Sequence, residues 1–326
     1  MLKPSSALVA GVLGAVAMGS AAPALKMLGS TALSPVNVIQ VRVALGALAL
    51  AVAAVALRRR VRVPRAQWPL IAAYGVVTIA ANQVLYVAAL GRLPVGVALL
   101  LEYLAPVLVA LWVRFVRGRP ASGALWAGIG VLLVGVALVG GSGTGPLDAV
   151  GVLFGLLAAV TMAGRFLLAE RGLRDHDPLV LAMWGASCGA VALLVVRPFP
   201  VAVLADVVDG VPVWALALYA GLVGLALAVL LGVVAQRGLA PTAASSVAAV
   251  EVVVGGVVAA VVLGERLGAA QWVGVAAVLA GVALAQVGAR RDQATLACSA
   301  ANPATNASSA SSKLSASIAS AFSRSR

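Results

Sequence analysis

Charge is scarce in this chain. Acidic and basic residues occupy 10% of its 326 positions, against about 25% in a soluble domain, and this excludes a soluble globular fold. Histidine is nearly absent. The single one, His176, stands in a polar connecting stretch, so zinc clusters and histidine acid–base chemistry have no residues to build on. The two cysteines, Cys188 in an apolar run and Cys298 in a polar one, have neither disulfide-framework nor metal-ligand spacing. No cofactor motif is present. The glycine-rich run Gly140-Gly141-Ser142-Gly143-Thr144-Gly145 lacks the lysine of a phosphate-binding loop and follows an apolar helix rather than a strand. It reads as a flexible linker, and ATP-driven work is disfavoured. The net charge of +13 would suit a nucleic-acid partner. The Lys and Arg residues instead fall in short clusters between apolar runs, which points to a membrane and away from nucleic acid.

What the chain does have is hydrophobic sequence, 63% of it. Apolar windows of about 20 residues mark spanning helices. Ten are expected, at 7–27, 36–57, 67–90, 94–116, 121–140, 147–168, 178–197, 212–235, 239–263 and 269–288. The first has signal-peptide features, with Lys3 before an apolar run and Ser20-Ala21-Ala22 after it, but the repeat described next requires it as a helix. Residues 289–326, rich in Ser and Ala without an apolar period, read as a disordered cytoplasmic tail. With the N-terminus inside, fourteen basic residues fall on inside connections, among them Arg58, Arg59, Arg60, Arg62 and Arg65. Only Lys26, Arg92, Arg197 and Arg266 fall outside. This bias places both termini in the cytoplasm.

An internal repeat organises the windows. At an offset of 146, Trp68 meets Trp214, Gly75 meets Gly221, Trp126 meets Trp272 and Gly128 meets Gly274, while Gly135-Val136-Ala137-Leu138 meets Gly281-Val282-Ala283-Leu284. At 143, Pro35 meets Pro178 and Gly46 meets Gly189. The expected fold is an all-α membrane protein of ten transmembrane helices, with repeats at 7–140 and 147–288. Five helices per repeat is an odd number, so the repeats enter the membrane in opposite directions. Inverted repeats build secondary transporters that bind substrate near the midplane.

Few polar residues lie inside the windows. Glu102, in VGVALLLEYLAPVLVALW, is the most exceptional, because an ionised carboxylate at that depth costs at least ~2.5 kcal/mol. Pro106 follows on the same helical face and removes one backbone bond. A kink beside an acid suggests a site, although an acid tied to a neighbouring helix for packing alone is the competing reading. Glu251 is the second deep acid, either a ligand group or a packing contact beside Ser245 and Ser246. Arg42 either binds a carboxylate with its planar fork or snorkels to the outer surface. Asn82, Gln83 and Tyr86 cluster in the third window, as ligand groups or interhelical glue, and Tyr103 follows Glu102. Arg165, near the inner end of the sixth window, reads as a snorkelling anchor. Gly151 and Gly155 allow close helix packing.

These features resemble the EamA-type branch of the drug/metabolite transporter superfamily. The resemblance covers about residues 7–288. The LLLEYLAPV stretch is similar to the fourth helix of the threonine/homoserine exporter group. Glu251 matches the family's Leu-Glu-Pro element, Leu263-Gly264-Glu265 its Gly-Glu element and Arg42 its second-helix arginine. Three positions depart from the pattern. Val252 replaces the proline, implying a straighter ninth helix, Arg119 replaces the acid of the first Gly-Glu, and Arg165 stands where the family often has an aromatic residue. The resemblance implies a secondary transporter moving a small polar, amino-acid-like metabolite across the cytoplasmic membrane by alternating access. Export driven by protons is expected, with Glu102 as the proton-coupling acid and Glu102, Arg42, Asn82, Gln83, Tyr86, Tyr103 and Glu251 binding substrate. No cofactor or metal is implied, and monomer and homodimer remain equally open. The alternatives are efflux of drugs or cationic compounds, and a membrane enzyme on lipid-linked substrates, for which paired interfacial acids or a nucleophile are missing.

The charge bias makes a direct prediction. Reporter fusions after Arg65, Arg119 and Arg291 report cytoplasm, and a fusion within Gly141–Gly145 reports the outside. A cytoplasmic signal from that linker would break the inverted arrangement.

Overall fold

The computed structural model describes residues 4–93, 95–119, 121–140, 148–196, 200–263 and 268–301. The linker Gly141–Gly145, the Gly264-Glu265 pair and the chain beyond residue 301 lie outside the described residues. Among those described, eight helical segments are long and apolar enough to cross a membrane. They are α1 (Pro4–Gly29), α2 (Pro35–Ala56), α3 (Arg65–Ala89), α6 (Ala149–Gly172), α7 (Pro178–Val196), α8 (Val213–Ala235), α9 (Pro241–Val258) and the Ala269–Asp292 part of α10. Between α3 and α6 lie two shorter apolar stretches. One, α4, comprises Val95–Glu102 and Ala105–Leu111 with a wider turn over Trp112–Val116; the other, α5, is Gly123–Gly140. The last helix continues through Ala301, so the expected tail begins inside it. One small departure from an all-helical chain is a ribbon pairing Val207–Val208 with Val211–Pro212. Its turn residues Asp209 and Gly210 both have positive φ, as a tight two-residue hairpin requires.

Helix starts follow from local sequence. Proline at the first turn costs no hydrogen bond, and Pro35, Pro178 and Pro241 each open a helix. The Ser34 hydroxyl accepts from the Asn37 amide, and Asp148 accepts from the Val150 and Gly151 amides. The Arg92 guanidinium 3.0 Å away, with those two amides, holds the Asp148 carboxyl below the usual carboxylate range. This cap is therefore kept at neutral pH and lost as pH falls through the lowered value.

The repeat is visible in the backbone. The π-helical turns Val76–Ala81 and Leu222–Leu227 sit 146 residues apart, inside α3 and α8. α4 is interrupted at Tyr103–Leu104, and α9 at Ala249, again 146 residues beyond Tyr103. Absence of proline at Val252 does not straighten α9, as its sequence suggested. The Val252 amide donates to the Ala249 carbonyl in a tightened turn instead.

Packing pairs each half with the other. α1 packs on α8 and α9, while α6 packs on α3 and α4. Gly46 sits against Gly221 and Leu225, and its counterpart Gly189 against Gly75 and Ile79. α5 and α10 run antiparallel in close contact. Gly128 meets Gly281 and Ala285, and Gly135 meets Gly274 and Val278. Counterpart residues thus exchange partners across the two halves. Gly151 and Gly155 are filled by Leu93 and Leu101, so that pair serves contacts within the chain. Outward-facing residues such as Leu48, Val55, Phe115, Val160 and Val191 leave an exposed apolar belt, which in water would be untenable and in lipid is neutral.

The ion pairs respect the expected sides. Asp177 lies 3.7 Å from Arg59 and 3.9 Å from Arg237, joining three connections that the charge bias puts inside. Arg117 pairs with Glu170 at 2.5 Å on that same side, and Arg92–Asp148 joins two connections assigned to the outside.

A Cβ at Gly128 would fall on the backbone of Ala285, whereas one at Gly130 meets nothing within 4 Å. Gly128→Leu therefore lowers stability by about 1–3 kcal/mol or more through overpacking, and Gly130→Leu, with the same propensity change, does not. Thermal unfolding of both variants in detergent micelles checks this; equal melting points would refute the tight α5–α10 seam.

Candidate functional site

The irregular stretches of the backbone converge. The helical register shifts by one residue at the π turn of α3, and Asn82 follows immediately. Asn82 is buried, and its Nδ2 is shared among the Glu102 carboxylate at 3.2 Å, the Ala158 carbonyl at 3.0 Å and the Thr161 hydroxyl at 3.2 Å. One amide thus ties α3, α4 and α6 together. Glu102 is the last residue before the α4 break. There a carboxylate gains a donor that an uninterrupted apolar helix would not supply. Thr161 in turn donates back to Leu157 and Ala158 on its own helix.

The α4 break also positions Tyr103. It is buried, and its hydroxyl lies 3.5 Å from the Ala248 carbonyl, at the corresponding break in α9. The same hydroxyl also lies near the Glu251 carboxylate. Both acids therefore stand at helix breaks, and the residue after one faces the other. Ser245 and Ser246 bond back to the Thr242 carbonyl rather than to Glu251, so the expected serine support for that acid is not made.

Arg42 departs from expectation. It is buried rather than snorkelling, and it does not pair with Glu102. Its Nη2 donates to the Gly224 carbonyl at 2.7 Å, inside the π turn of α8, and to the Met18 sulfur. Its Nε has no partner. Gly224 has room for this because it carries no side chain; a Cβ there would meet Ala21. Tyr86 packs against the small buried cluster of Ala89, Leu93 and Ala98, and Gln83 makes no hydrogen bond among the described residues.

Arg165 also departs from its reading as an anchor. It lines a cavity together with Glu251, Met18, Gln236 and Ala248, walled elsewhere by Gly11, Gly14, Ala228 and Gly232. Space near Arg165 Nη2 exists because Gly232 lacks a side chain; an added Cβ would lie 3.8 Å from it. The cavity volume is about 40 Å3, room for a few waters and too little for a metabolite. Glu102, Glu251 and Arg165 lie within electrostatic reach of one another, and Arg42 lies within reach of Glu251 and Arg165. Among the described residues none of the four is in an ion pair.

Sequence reasoning singled out Glu102, Asn82 and Tyr103, which the structure brings into these contacts, and Glu251 beside the second break. It missed Thr161, whose only signal was its position four residues before Arg165 on one helical face, and the Ala158 and Ala248 carbonyls, which carry no signal at all.

Comparison with known proteins follows from this geometry. The profile of the EamA-like transporter family matches twice, over residues 5–141 and 149–286. None of the curated proteins compared matches the chain. Among solved structures, one described only as the crystal structure of a protein superposes with a TM-score of 0.73 at 21% identity, covering 88% of this chain and 98% of its own. It shows a shared fold.

Removing the Asn82 amide leaves buried acceptors unsatisfied, which costs about 1–3 kcal/mol. Asn82→Ala is expected to lower the unfolding free energy by that amount, and Gln83→Ala to leave it within error. Denaturation in mild detergent, followed by tryptophan fluorescence, compares the two; equal effects would remove Asn82 as the tie between these helices.

Proposed function

Because the chain belongs to the EamA-like transporter family, we propose that it is a secondary transporter, and not an enzyme, moving a small polar, amino-acid-like metabolite across the cytoplasmic membrane by alternating access. The observation that carries this reading is the pair of matched helix breaks, each with an acid beside it. Discontinuous helices at the interface of two repeats are where secondary transporters hold substrate and coupling ions.

In this reading the chain crosses the bilayer ten times in two inverted five-helix repeats, with both termini in the cytoplasm. The antiparallel α5–α10 seam, the exchanged glycine contacts and the side-respecting ion pairs support it. The repeats rock about the shared site, and the contracted cavity widens as substrate enters. Glu102, Glu251, Asn82, Tyr103, Tyr86 and Gln83 line the path, with Arg42 fixing the π turn of α8 beside it. The direction is export, as in the threonine/homoserine exporter-like group that the fourth segment resembles.

Proton coupling falls to Glu102. A transporter needs an affinity difference between its two orientations, and an acid protonated in one and ionised in the other supplies it. Asn82 suits this role because its amide donates to the ionised form while its position is fixed by Ala158 and Thr161. Efflux of cationic compounds is the second reading, favoured by two acids free of ion pairs.

Glu102→Gln keeps the size and polarity of the side chain and removes its proton exchange. In proteoliposomes, counterflow of a transported amino acid should survive in this variant, while accumulation driven by a proton gradient falls at least tenfold. Glu251→Gln leaves the Glu102 carboxyl able to exchange its proton, so counterflow and accumulation should fall together in that variant. Undiminished proton-driven accumulation by Glu102→Gln would rule the role out, and uptake of organic cations without amino acids would favour the second reading.

A further inference from the structure

We propose that Arg165, rather than Arg42, is the residue that binds the substrate's carboxylate, and that Arg165 and Glu251 together recognise the charged head of a zwitterionic amino acid. This rests on the transport reading above and names the substrate chemistry of the same site.

Two arginines lie inside the spans, Arg42 buried and Arg165 half-buried, and the structure separates their roles. Arg42 is committed: its Nη2 is bonded to the Gly224 carbonyl and the Met18 sulfur, with the guanidinium packed against the α8 backbone. Arg165 lies in the cavity wall itself, and Glu251 lines the same cavity. A guanidinium and a carboxylate facing one cavity without closing into an ion pair present a positive and a negative pole. An α-amino acid carries the complementary poles on adjacent positions. Its carboxylate accepts a bidentate pair of hydrogen bonds from the Arg165 fork, and its ammonium donates to Glu251, beside the Tyr103 hydroxyl. A net-neutral zwitterion adds no net charge to the site, whereas a cation or an anion alone leaves an uncompensated charge in a low-dielectric interior. The small walls, Gly11, Gly14, Ala228 and Gly232, let neighbouring segments separate without removing a large side chain from the path.

The test compares each of a panel of L-amino acids with its primary carboxamide, which keeps the ammonium and loses the carboxylate. Competition with a transported amino acid in proteoliposomes is read for wild type, Arg165→Gln, Arg165→Lys and Arg42→Gln. Wild type is expected to prefer acid over carboxamide by at least tenfold. Arg165→Gln should bring that ratio to within about twofold of one, by losing the acid and sparing the carboxamide. Arg165→Lys, charged but unforked, should fall between. Arg42→Gln should lower melting temperature and overall transport with the ratio kept. A ratio unchanged in both Arg165 variants, or abolished only in Arg42→Gln, overturns the assignment while leaving the transporter reading intact. A wild type that carries none of the panel overturns both.

Discussion

Backbone groups in hydrocarbon have no water to bond, and this constraint governs the molecule. An N–H or C=O left without a partner in lipid costs several kcal/mol, so irregular backbone is tolerated only where other protein covers it. Among the described residues the chain nevertheless contains three π turns, at Val76–Ala81, Trp112–Val116 and Leu222–Leu227, and helices interrupted at Ala21, Tyr103–Leu104 and Ala249. The π turns, whose backbone groups stay bonded within the helix, face outward in part, at Val76, Phe115 and Leu222, whereas Tyr103 and Ala249 at the breaks are buried. Carbonyls at both kinds of irregularity are used: Gly224 receives Arg42, and Ala248 faces Tyr103. Polar side chains in this core serve first to make broken backbone affordable, and the site is built from the same groups.

Exchange of contacts between the halves follows from that need. A single five-helix unit could not cover its own broken segments. α1 covers the α9 break and α6 covers the α4 break, each from the opposite half. Glycines at the crossing points bring the helices close enough for direct backbone approach. Such a seam consists of many small contacts rather than a few large side chains, which is compatible with two packings of similar energy. Alternating access requires that near-degeneracy.

The charge arrangement is the functional counterpart of this economy. Among the described residues Glu102, Glu251, Arg42 and Arg165 do not close into ion pairs; the Asn82 amide donates to Glu102, and Arg42 donates to the Gly224 carbonyl. Closed ion pairs would satisfy one another and have little left to offer a ligand. Charges held by weaker dipoles remain available to a transported molecule, at a cost in stability that the surrounding close packing offsets.

Composition and periodicity by themselves determined that this is a multi-spanning helical protein, where its apolar segments lie, and that it repeats at an offset of 146. Those properties follow from the length of the hydrocarbon layer and from residue identity, and both are written along the chain. Glu102, Glu251, Asn82 and Tyr103 were legible for the same reason, since a polar residue in an apolar window has few uses. Only the tertiary structure decided what each of them touches. The break in α9 carries no proline, because it arises from packing across the halves rather than from local sequence. Partners of Asn82 and Tyr103 include backbone carbonyls, to which every residue type contributes alike. The contacts of Arg42 and Arg165 were likewise decided only by the tertiary structure, because depth along a helix can be counted from sequence, while the direction in which a side chain points across a three-dimensional seam cannot.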